Sequence, residues 1–549
     1  MHVALPFDSS RLKLRSAFAA LLLATIAAPL LGAGQAADPP EQREAGLYED
    51  GMRLLHEKNY AQALERFQAL ERAAPNLPQG YTGEGIALAL TGRMDDAIPA
   101  LRKALAIDPS YWIAERELGI LDWQKGRRAE AAKELTGVVK FAPGDISVNT
   151  ILGEYNFEER NYSEAVRFFS AAQARVELSV PLSLLYFEAM IKSGQSQQAA
   201  EELGRLAAAP SLDPQQRFRT AWLLGEAGAY SKAIEVFTAL PPDVPDAFDR
   251  GYGIALAYYE EGKYADCIQG LLALKQRGIA RAELFSLLGS AQERSGHPAQ
   301  AKEAFQEGIQ DFPKGEDNYL NRAILAVRDQ EYPAATDLLT AGLQQLPGNY
   351  KLSLTRGVVY TLQGNLHKAQ ADYEKAVSLA PDEASVYLGL GICLMDQNQY
   401  PAAADTFRSA IQKGLADAKL NYFLVDTLFR QGLTASSPLY QEALRTVDAA
   451  IQLSPDYPYT YLQRGKLLLM THHLQEAIGD LEHARKLDPD STTVAYQLAT
   501  AYRTAGRTAE ADKLFAQVAH ATALQDAEFR QSTLMRVVGA VSDAHYSEK

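Results

Sequence analysis

The sequence predicts an all-α solenoid of about fourteen helix-turn-helix repeats, followed by a C-terminal capping helix. Prolines recur every 34 residues in three separate stretches, and glycines keep the same interval near the beginning of the chain. Apolar residues between these marks recur at helical spacing, which is typical of amphipathic helices that stack on one another. The residues that keep the interval are Pro75, Pro109, Pro143, Pro313, Pro347, Pro381, Pro455, Pro489, Gly85, Gly119 and Gly153. A fixed period of this length indicates one elongated array rather than several globular domains.

The composition is that of a folded, acidic protein. Of the 549 residues, 47% are hydrophobic and 22% are charged, and the formal net charge is −14, from 54 Lys and Arg against 68 Asp and Glu. Such a surface repels nucleic-acid phosphate and anionic lipid, so we predict no nucleic-acid partner. A basic partner, or simple solubility, explains the charge better. Cys267 and Cys393 fall inside predicted helices and are interpreted as small buried side chains.

The first 36 residues have the order of a secretory signal peptide. Arg11, Lys13 and Arg15 precede an apolar run from Ala17 to Leu31, and small residues follow up to Ala36. We predict cleavage after Ala36 and export to the periplasm or the cell exterior, with or without association with the envelope. An uncleaved anchor is the alternative, but proline interrupts the run, which is shorter than the roughly 20 residues that cross a bilayer. We expect no transmembrane insertion after cleavage, because no later segment is long and apolar enough.

The clearest repeat runs from Tyr350 to Glu383. A small residue on its first helix faces a small residue on its second, which lets the two helices approach closely. The marks of this repeat and its neighbour are Gly357, Tyr360, Gly364, Ala369, Tyr373, Ala376 and Pro381, then Tyr387, Leu390, Gly391, Ala403, Phe407 and Ala410. Over roughly residues 44–525 the sequence resembles the tetratricopeptide repeat family, whose pattern is W-x2-L-G-x2-Y, then A-x3-F, then P. The resemblance implies a right-handed superhelix whose first helices line a concave groove.

The repeat marks are less regular in two places. From 180 to 247 the glycines and prolines fade, although Ala199 and Phe237 keep the register. The stretch 240–245 predicts an irregular connection, with a bend in the superhelix as a hypothesis, and 433–438 predicts an insertion of about six residues. The expected organisation is a signal peptide (1–36), a short linker (37–43), a first repeat block (44–179), degenerate repeats (180–247), a second block (248–525) and a capping helix with a tail (526–549).

No pattern in the sequence predicts catalysis, a metal site or a cofactor. Three Gly-x-Gly pairs lie within first helices, where glycine serves packing rather than phosphate binding. His472, His473 and His483 lie near Glu476 and Asp480 and are interpreted as surface polar residues rather than metal ligands. No Ser-His-Asp or Cys-His arrangement has supporting context. We therefore predict that the protein is not an enzyme.

The resemblance implies that positions 2, 5, 9, 12 and 13 of each repeat line the groove. In the middle of the array these positions are apolar and aromatic, as is usual for interaction sites. The predicted partner-binding residues are Phe218, Trp222, Tyr252, Tyr259, Leu320, Ile324, Leu354, Val358, Leu388 and Ile392. The alternative is that superhelical curvature buries many of them. The carboxylate clamp of chaperone-tail adaptors is not indicated, because its best counterpart is Ser286, Ser290, Asn321, Lys351 and Thr355, of which two match in type.

The function expected from these observations is that of an exported scaffold. The repeat, the signal segment and the lack of a catalytic pattern favour a protein that holds a protein or peptide partner in its groove and so mediates protein-protein interaction or complex assembly. The alternative is a cell-envelope assembly factor that binds glycan or polysaccharide, since aromatic rings stack on sugars.

Overall fold

The computed structural model describes residues 39–519, and all of its regular elements are α-helices. Twenty-eight helices follow one another within the described residues and form fourteen pairs, so the prediction of an all-α solenoid of about fourteen repeats is confirmed. The predicted signal peptide (1–36) and the predicted capping helix with its tail (526–549) lie outside the described residues. The described chain forms two compact units, with the division between Gly253 and Ile254.

The helices are 10 to 18 residues long, and odd-numbered helices are the first helices of the repeats. The helices of unit 1 are α1 (Pro39–His56), α2 (Tyr60–Ala73), α3 (Pro78–Leu90), α4 (Met94–Ile107), α5 (Trp112–Gln124), α6 (Arg128–Val138), α7 (Ile146–Glu158), α8 (Tyr162–Gln173), α9 (Val180–Lys192), α10 (Ser196–Ala207), α11 (Pro214–Glu226) and α12 (Tyr230–Ala239). The division between the units falls within α13 (Ala247–Glu260).

Unit 2 continues with the same alternation of first and second helices. Its helices are α14 (Tyr264–Gln276), α15 (Ala282–Arg294), α16 (Pro298–Asp311), α17 (Glu316–Arg328), α18 (Tyr332–Gln345), α19 (Tyr350–Leu362), α20 (Leu366–Leu379), α21 (Ala384–Asp396), α22 (Tyr400–Gln412), α23 (Ala418–Arg430), α24 (Pro438–Leu453), α25 (Pro458–Met470), α26 (Leu474–Leu487), α27 (Thr492–Thr504) and α28 (Thr508–Ala519).

Close approach of the two helices in a repeat depends on glycine. A Cβ atom on Gly357 would lie 2.8 Å from Cε1 of Tyr373, and one on Gly391 would lie 2.3 Å from Cε1 of Phe407. Both rings are fully buried, so they have little room to move aside. Gly391, which belongs to one of the Gly-x-Gly pairs, therefore serves helix packing, as interpreted from the sequence.

The turn between the two helices has a fixed backbone conformation. We number the residues of each repeat so that Tyr350 is position 1 of the tenth repeat. Position 15 has a left-handed backbone conformation in all fourteen described repeats. Glycine holds that position in nine of them, because it enters the left-handed region without a Cβ clash. These glycines are Gly92, Gly126, Gly194, Gly228, Gly262, Gly296, Gly364, Gly432 and Gly506, and the remaining five residues are Lys58, Arg160, Gln330, Asn398 and His472.

First helices of successive repeats also pack against one another within each unit. In unit 2, α17 contacts α19, and α19 contacts α21. Leu320, Leu354 and Leu388, which occupy position 5 of these three helices, are 0–1% exposed and belong to one hydrophobic cluster. The core therefore extends into the seam between neighbouring first helices and is not confined to the space between the two helices of a repeat.

Three segments differ from the regular pattern. Residues 240–246, between α12 and α13, are non-helical, in agreement with the predicted irregular connection, and residues 431–437 form the longer connection predicted between α23 and α24. The degenerate stretch 180–247 nevertheless forms complete helices. Residues 39–43, part of the predicted linker, belong to α1 instead, because the helix begins at Pro39. Among the described helices, none is both long and apolar enough to cross a membrane.

Candidate partner-binding faces

Six of the ten predicted groove residues are buried. Phe218 is 6% exposed, and its ring packs edge-on against Phe237 at a centroid distance of 5.5 Å. The other five belong to the seam between first helices and are Leu320, Leu354, Val358, Leu388 and Ile392, each 0–1% exposed. A partner cannot reach side chains enclosed in this way, so the prediction that these six line an exposed groove is corrected.

These side chains are buried for a simple physical reason. Positions 5 and 9 point from one first helix towards the next, and the first helices of these repeats are close enough to enclose them. The sequence pattern identifies which residues lie on that side of a helix, but it carries no information on how closely the next helix approaches. Trp222, Tyr252, Tyr259 and Ile324 are half-buried and expose part of their surface. Trp222 and Tyr252 belong to unit 1, whereas Tyr259 and Ile324 belong to unit 2.

The exposed face of the first helices in unit 1 combines an aromatic ring with charged groups. The indole Nε1 of Trp222 donates a hydrogen bond to Oε1 of Glu226 at 3.1 Å, and the Phe218 ring lies 6.4 Å from the Trp222 ring. Oε2 of Glu226 lies 3.6 Å from Nζ of Lys192, and both of these side chains are at most 6% exposed. These contacts fix the Trp222 ring, so packing another group on it would cost the ring little further conformational entropy.

Glu154 lies on the same side of unit 1, at position 9 of α7. Its Oε1 atom is buried and makes no hydrogen bond. Burial raises the pKa of this carboxyl to about 7, and neighbouring Glu158 adds to the shift while Arg128 opposes it. Arg128 is held over the Trp123 ring at 3.6 Å from its centroid. This carboxyl oxygen is enclosed within the first helices, so it is not reached from the surface of the face.

Arg116, at position 5 of α5, is a charged residue that stabilises the packing of two repeats. The guanidinium of Arg116 donates to Oδ2 of Asp145 at 2.7 Å and also pairs with Glu117, and all three residues are at most 5% exposed. Asp145 in turn accepts a hydrogen bond from the Val148 amide at 2.9 Å, which caps the beginning of α7. The network is enclosed, so it holds two repeats together and is not available to a partner.

The first helices at the end of unit 2 carry a second face, which the sequence analysis did not single out. The rings of Tyr422, Tyr457 and Tyr459 meet at centroid distances of 5.5–6.3 Å, and all three are half-buried. The Tyr459 hydroxyl donates to Oδ2 of Asp488 at 3.1 Å, which fixes its ring. Tyr422 occupies position 5 of its repeat and Tyr459 occupies position 2. Both are groove positions of the family pattern, so applying that pattern to the last repeats would have identified this face.

Two basic side chains accompany these tyrosines. Nζ of Lys466, at position 9 of α25, lies 4.1 Å from the centroid of the Phe429 ring, at position 12 of α23. This cation–π contact places the ammonium beside the aromatic residues. Lys419, at position 2 of α23, is also half-buried. We call Lys419, Tyr422, Phe429, Tyr457, Tyr459 and Lys466 the tyrosine–lysine face.

Other sequence-level candidates for binding are explained by packing. Ser286 and Thr355, from the best counterpart of a carboxylate clamp, are at most 1% exposed, and Asn321 donates its amide to the Ser286 hydroxyl at 3.1 Å. The His483 ring packs edge-on against the Tyr461 ring at a centroid distance of 4.4 Å. Within residues 39–519, His, Cys, Asp and Glu side chains form no group of three or more that is suited to a metal ion. Cys267 and Cys393 are buried free thiols, and burial raises the pKa of both, to about 12 and about 11.

Comparison with known families explains the shared geometry of the fourteen helix pairs. A tetratricopeptide repeat model matches residues 48–111, 189–248, 286–350, 355–418 and 394–458, which together make up more than half of the chain. The chain belongs to the tetratricopeptide repeat family. A second tetratricopeptide repeat model matches residues 88–154. Tetratricopeptide families are generally non-enzymatic, and this membership supports a role in protein-protein interaction.

Individual tetratricopeptide proteins are similar to the chain over parts of their length. A DnaJ homolog subfamily C member 7 homolog from Dictyostelium discoideum is 24% identical over 31% of this chain and 33% of its own. Hsp70-Hsp90 organizing protein 1 from Glycine max is 23% identical over 34% of this chain and 38% of its own. The crystal structure of yeast Tom70 aligns with 92% of this chain and 98% of that chain, at 16% identity and a TM-score of 0.37. The chain thus spans about a third of the length of these two curated relatives.

Proposed function

We propose that this protein is an exported tetratricopeptide scaffold that holds a protein or peptide partner against the exposed faces of its first helices. The observation that carries the proposal is the half-buried Trp222, whose ring is fixed by Glu226 on a first helix and still presents part of its surface. Large aromatic side chains of restricted mobility are the residues that dominate the binding energy at protein interfaces. Similarity to the organizing protein of two chaperones supports a role in assembly.

Export is supported by the composition of residues 1–36. Their basic, apolar and small-residue segments follow the order of a cleavable signal peptide. The test is expression of the whole chain in a bacterial host, followed by mass spectrometry of the periplasmic protein. A chain that begins at Ala37 in the periplasm is expected. Retention of the intact chain in the cytoplasm or in the membrane would contradict the export part of the proposal and leave the binding part unaffected.

Partner binding is tested by affinity capture from a cell-envelope extract with residues 37–549. The native chain is compared with a variant that combines Trp222→Ala and Tyr252→Ala. The matched control is Phe141→Ala, which removes a ring that is 57% exposed and lies outside the first helices. We expect one protein to be retained by the native chain and by the control and to be lost by the double variant. Equal retention by all three would show that the unit 1 face is not the binding site.

A further inference from the structure

The turn between α7 and α8 carries a sequence pattern that the packing of the repeats does not explain. Asn161, Tyr162 and Ser163 form an Asn-x-Ser triplet, and no other asparagine of the chain has serine or threonine two residues later. This triplet is the acceptor motif for N-linked glycosylation of exported proteins. Glu159 adds a carboxylate two residues before the asparagine, which transferases of the bacterial envelope also require.

The side chains that define this motif lie at the surface. Asn161 and Ser163 are exposed, and so is Glu159. Tyr162, between the two motif residues, is half-buried, and its ring packs edge-on against Phe157 at a centroid distance of 5.7 Å. The middle residue of the triplet thus anchors the turn, while the residues that a transferase reads stay accessible.

The fold makes no use of the Asn161 side chain as a helix cap. Asn161 is the N-cap residue of α8, a position at which asparagine or aspartate commonly accepts a hydrogen bond from an N–H group of the first turn. Asp145 and Asn349 do this for α7 and α19, each at 2.9 Å. The Asn161 side chain forms no such bond. A sugar on its amide nitrogen therefore displaces no capping contact.

Few backbone hydrogen bonds hold the triplet in place. The Asn161 N–H donates to the carbonyl of Asn156 at 2.8 Å, and the Asn161 carbonyl accepts from the N–H of Ala165 at 2.9 Å. Tyr162 and Ser163 belong to the first turn of α8, whose N–H groups have no partner within the helix. Because helix ends open more readily than helix centres, the triplet can enter a transferase without the unfolding of α8 as a whole.

A second turn of the chain has the same backbone but lacks the hydroxyl group. Residues 57–61 read Glu-Lys-Asn-Tyr-Ala, where residues 159–163 read Glu-Arg-Asn-Tyr-Ser. The φ and ψ angles of Asn59 are −86° and 59°, and those of Asn161 are −82° and 62°. Asn59 and Ala61 are also exposed. Within the triplet, the two turns therefore differ only in the hydroxyl group of Ser163.

We propose that Asn161 is an acceptor site for N-linked glycosylation, with Ser163 and Glu159 as the residues that the transferase recognises. The amide nitrogen of Asn161 attacks C1 of the first sugar of a polyprenyl-diphosphate-linked oligosaccharide. The N–C1 bond forms as the C1–O bond breaks, the lipid diphosphate leaves with the electron pair, and the amide proton passes to a basic group of the transferase. This inference rests on the export part of the proposed function and adds a covalent modification to it.

The experiment places residues 37–549 in the periplasm of a bacterial host that carries an oligosaccharyltransferase of the bacterial type with its lipid-linked oligosaccharide. The signal peptide of an unrelated periplasmic protein directs the export, so the result does not depend on residues 1–36. The intact mass of the purified chain should show the addition of one oligosaccharide, and peptide mapping should place it on Asn161. A periplasmic chain without the addition would overturn this inference and leave the export proposal intact.

Single substitutions at the acceptor turn test each recognised group. Ser163→Ala and Glu159→Gln should abolish the addition, whereas Ser163→Thr keeps the hydroxyl group and should retain it. Both positions are exposed, so helical circular dichroism of the variants should match that of the native chain. Addition that persists in Ser163→Ala, or that lies on a residue other than Asn161, would overturn the proposal. Addition that persists in Glu159→Gln would overturn the role of Glu159.

The turn at residues 57–61 supplies a matched gain of function. Ala61→Ser completes the triplet there and should add a second oligosaccharide, on Asn59. In the native chain Asn59 should remain unmodified, because alanine offers the transferase no hydroxyl group. Addition on Asn59 without the Ala61→Ser change would overturn recognition through the hydroxyl group. An unmodified Asn59 in Ala61→Ser would overturn the argument that this turn presents an asparagine to the transferase.

Discussion

At the scale of single residues, the backbone of the turn constrains the sequence more tightly than the helices do. Position 15 is left-handed in each of the fourteen described repeats, although five of them place a side chain there. The left-handed region costs a residue with a Cβ atom about 1 kcal/mol relative to glycine. These five repeats therefore contain a local strain that the rest of the packing compensates.

Gln330→Gly should stabilise the protein for this reason. Gln330 has a φ of 62° and is exposed, so the substitution relieves the backbone without removing buried contacts. The expected gain is about 0.5–1 kcal/mol, because the greater freedom of glycine in the unfolded chain offsets part of the relief. Thermal unfolding of the variant measures it. The reciprocal change Gly364→Ala should lower the midpoint, and a rise in that variant would contradict the explanation.

Buried carboxyl groups at the beginning of unit 1 link stability to pH. Burial raises the pKa of Glu71 to about 8, and a hydrogen bond and charge repulsion from Glu84 add to the effect, while Lys103 and Arg72 oppose it. Since the folded pKa lies above the ordinary value of 4.5, the folded chain holds a proton that the unfolded chain releases. The contribution of protonated Glu71 to the free energy of unfolding is fully present below pH 4.5 and is lost as the pH rises to about 8.

Glu71→Gln should therefore become more stable than the native chain as the pH rises. Glutamine reproduces the neutral side chain and does not ionise, so the variant lacks the loss of stability between the two pKa values. The unfolding midpoints of both chains are compared in steps from acidic to mildly alkaline pH. The exposed Glu65 on the same helix supplies the control variant, Glu65→Gln. A pH-independent difference for Glu71→Gln would show that its ionisation is not linked to folding.

At the scale of helices, an arginine joins the two helices of a repeat and the helix before them. Arg356 on α19 donates two hydrogen bonds of 2.7 Å to Asp372 on α20 and one of 3.1 Å to Thr340 on α18. Arg464 on α25 does the same with Asp480 and Asp448. Bidentate pairs of this kind fix the relative orientation of the helices as well as adding energy.

Arg322 on α17 occupies the same repeat position but has no such carboxylate. Its Nε and Nη1 atoms are buried and make no hydrogen bond, and Leu338 stands where the other two repeats have aspartate. Leu338→Asp should therefore couple favourably to Arg322, by about 1 kcal/mol. A double-mutant cycle of Leu338→Asp and Arg322→Met, measured by thermal unfolding, separates this coupling energy from the packing that is lost with the Leu338 side chain. A coupling near zero would mean that the arginine cannot adopt the geometry of Arg356.

At the scale of the whole molecule, contacts run mainly between helices adjacent in sequence and between the first helices of successive repeats. An array of this kind distributes its stability along one axis, since each repeat depends on its immediate neighbours. Local damage should therefore lower stability locally rather than unfold the chain at once.

Gly391→Val tests this expectation. The added side chain meets the buried Phe407 ring, because even a Cβ atom would lie 2.3 Å from it. Hydrogen exchange monitored by mass spectrometry should show lost protection in α19–α24 and retained protection in α3–α6. Loss of protection throughout the described helices would indicate a single cooperative unit. Gly479→Ala, at a helical glycine with open space around it, is the control in which no protection should be lost.

The sequence by itself determined the repeat, its period and the residues that close each turn. These features depend on local rules: glycine enters left-handed turns freely, and small residues on the two helices of a repeat let them approach closely. The prolines of 240–245 placed the irregular connection there, and the insertion at 433–438 was placed because it lengthens the period. The beginning of α1 was missed, because the repeat marks start only at residue 44.

Only the tertiary structure decided which first-helix residues are exposed. Leu354 and Tyr422 hold the same repeat position, yet one is fully buried and the other half-buried, because exposure depends on how closely the next first helix approaches. That distance results from side-chain packing over several repeats, which a single periodic pattern does not encode. Position within the repeat was therefore a property of the sequence, whereas the choice between core and surface was made by the packing of neighbouring repeats.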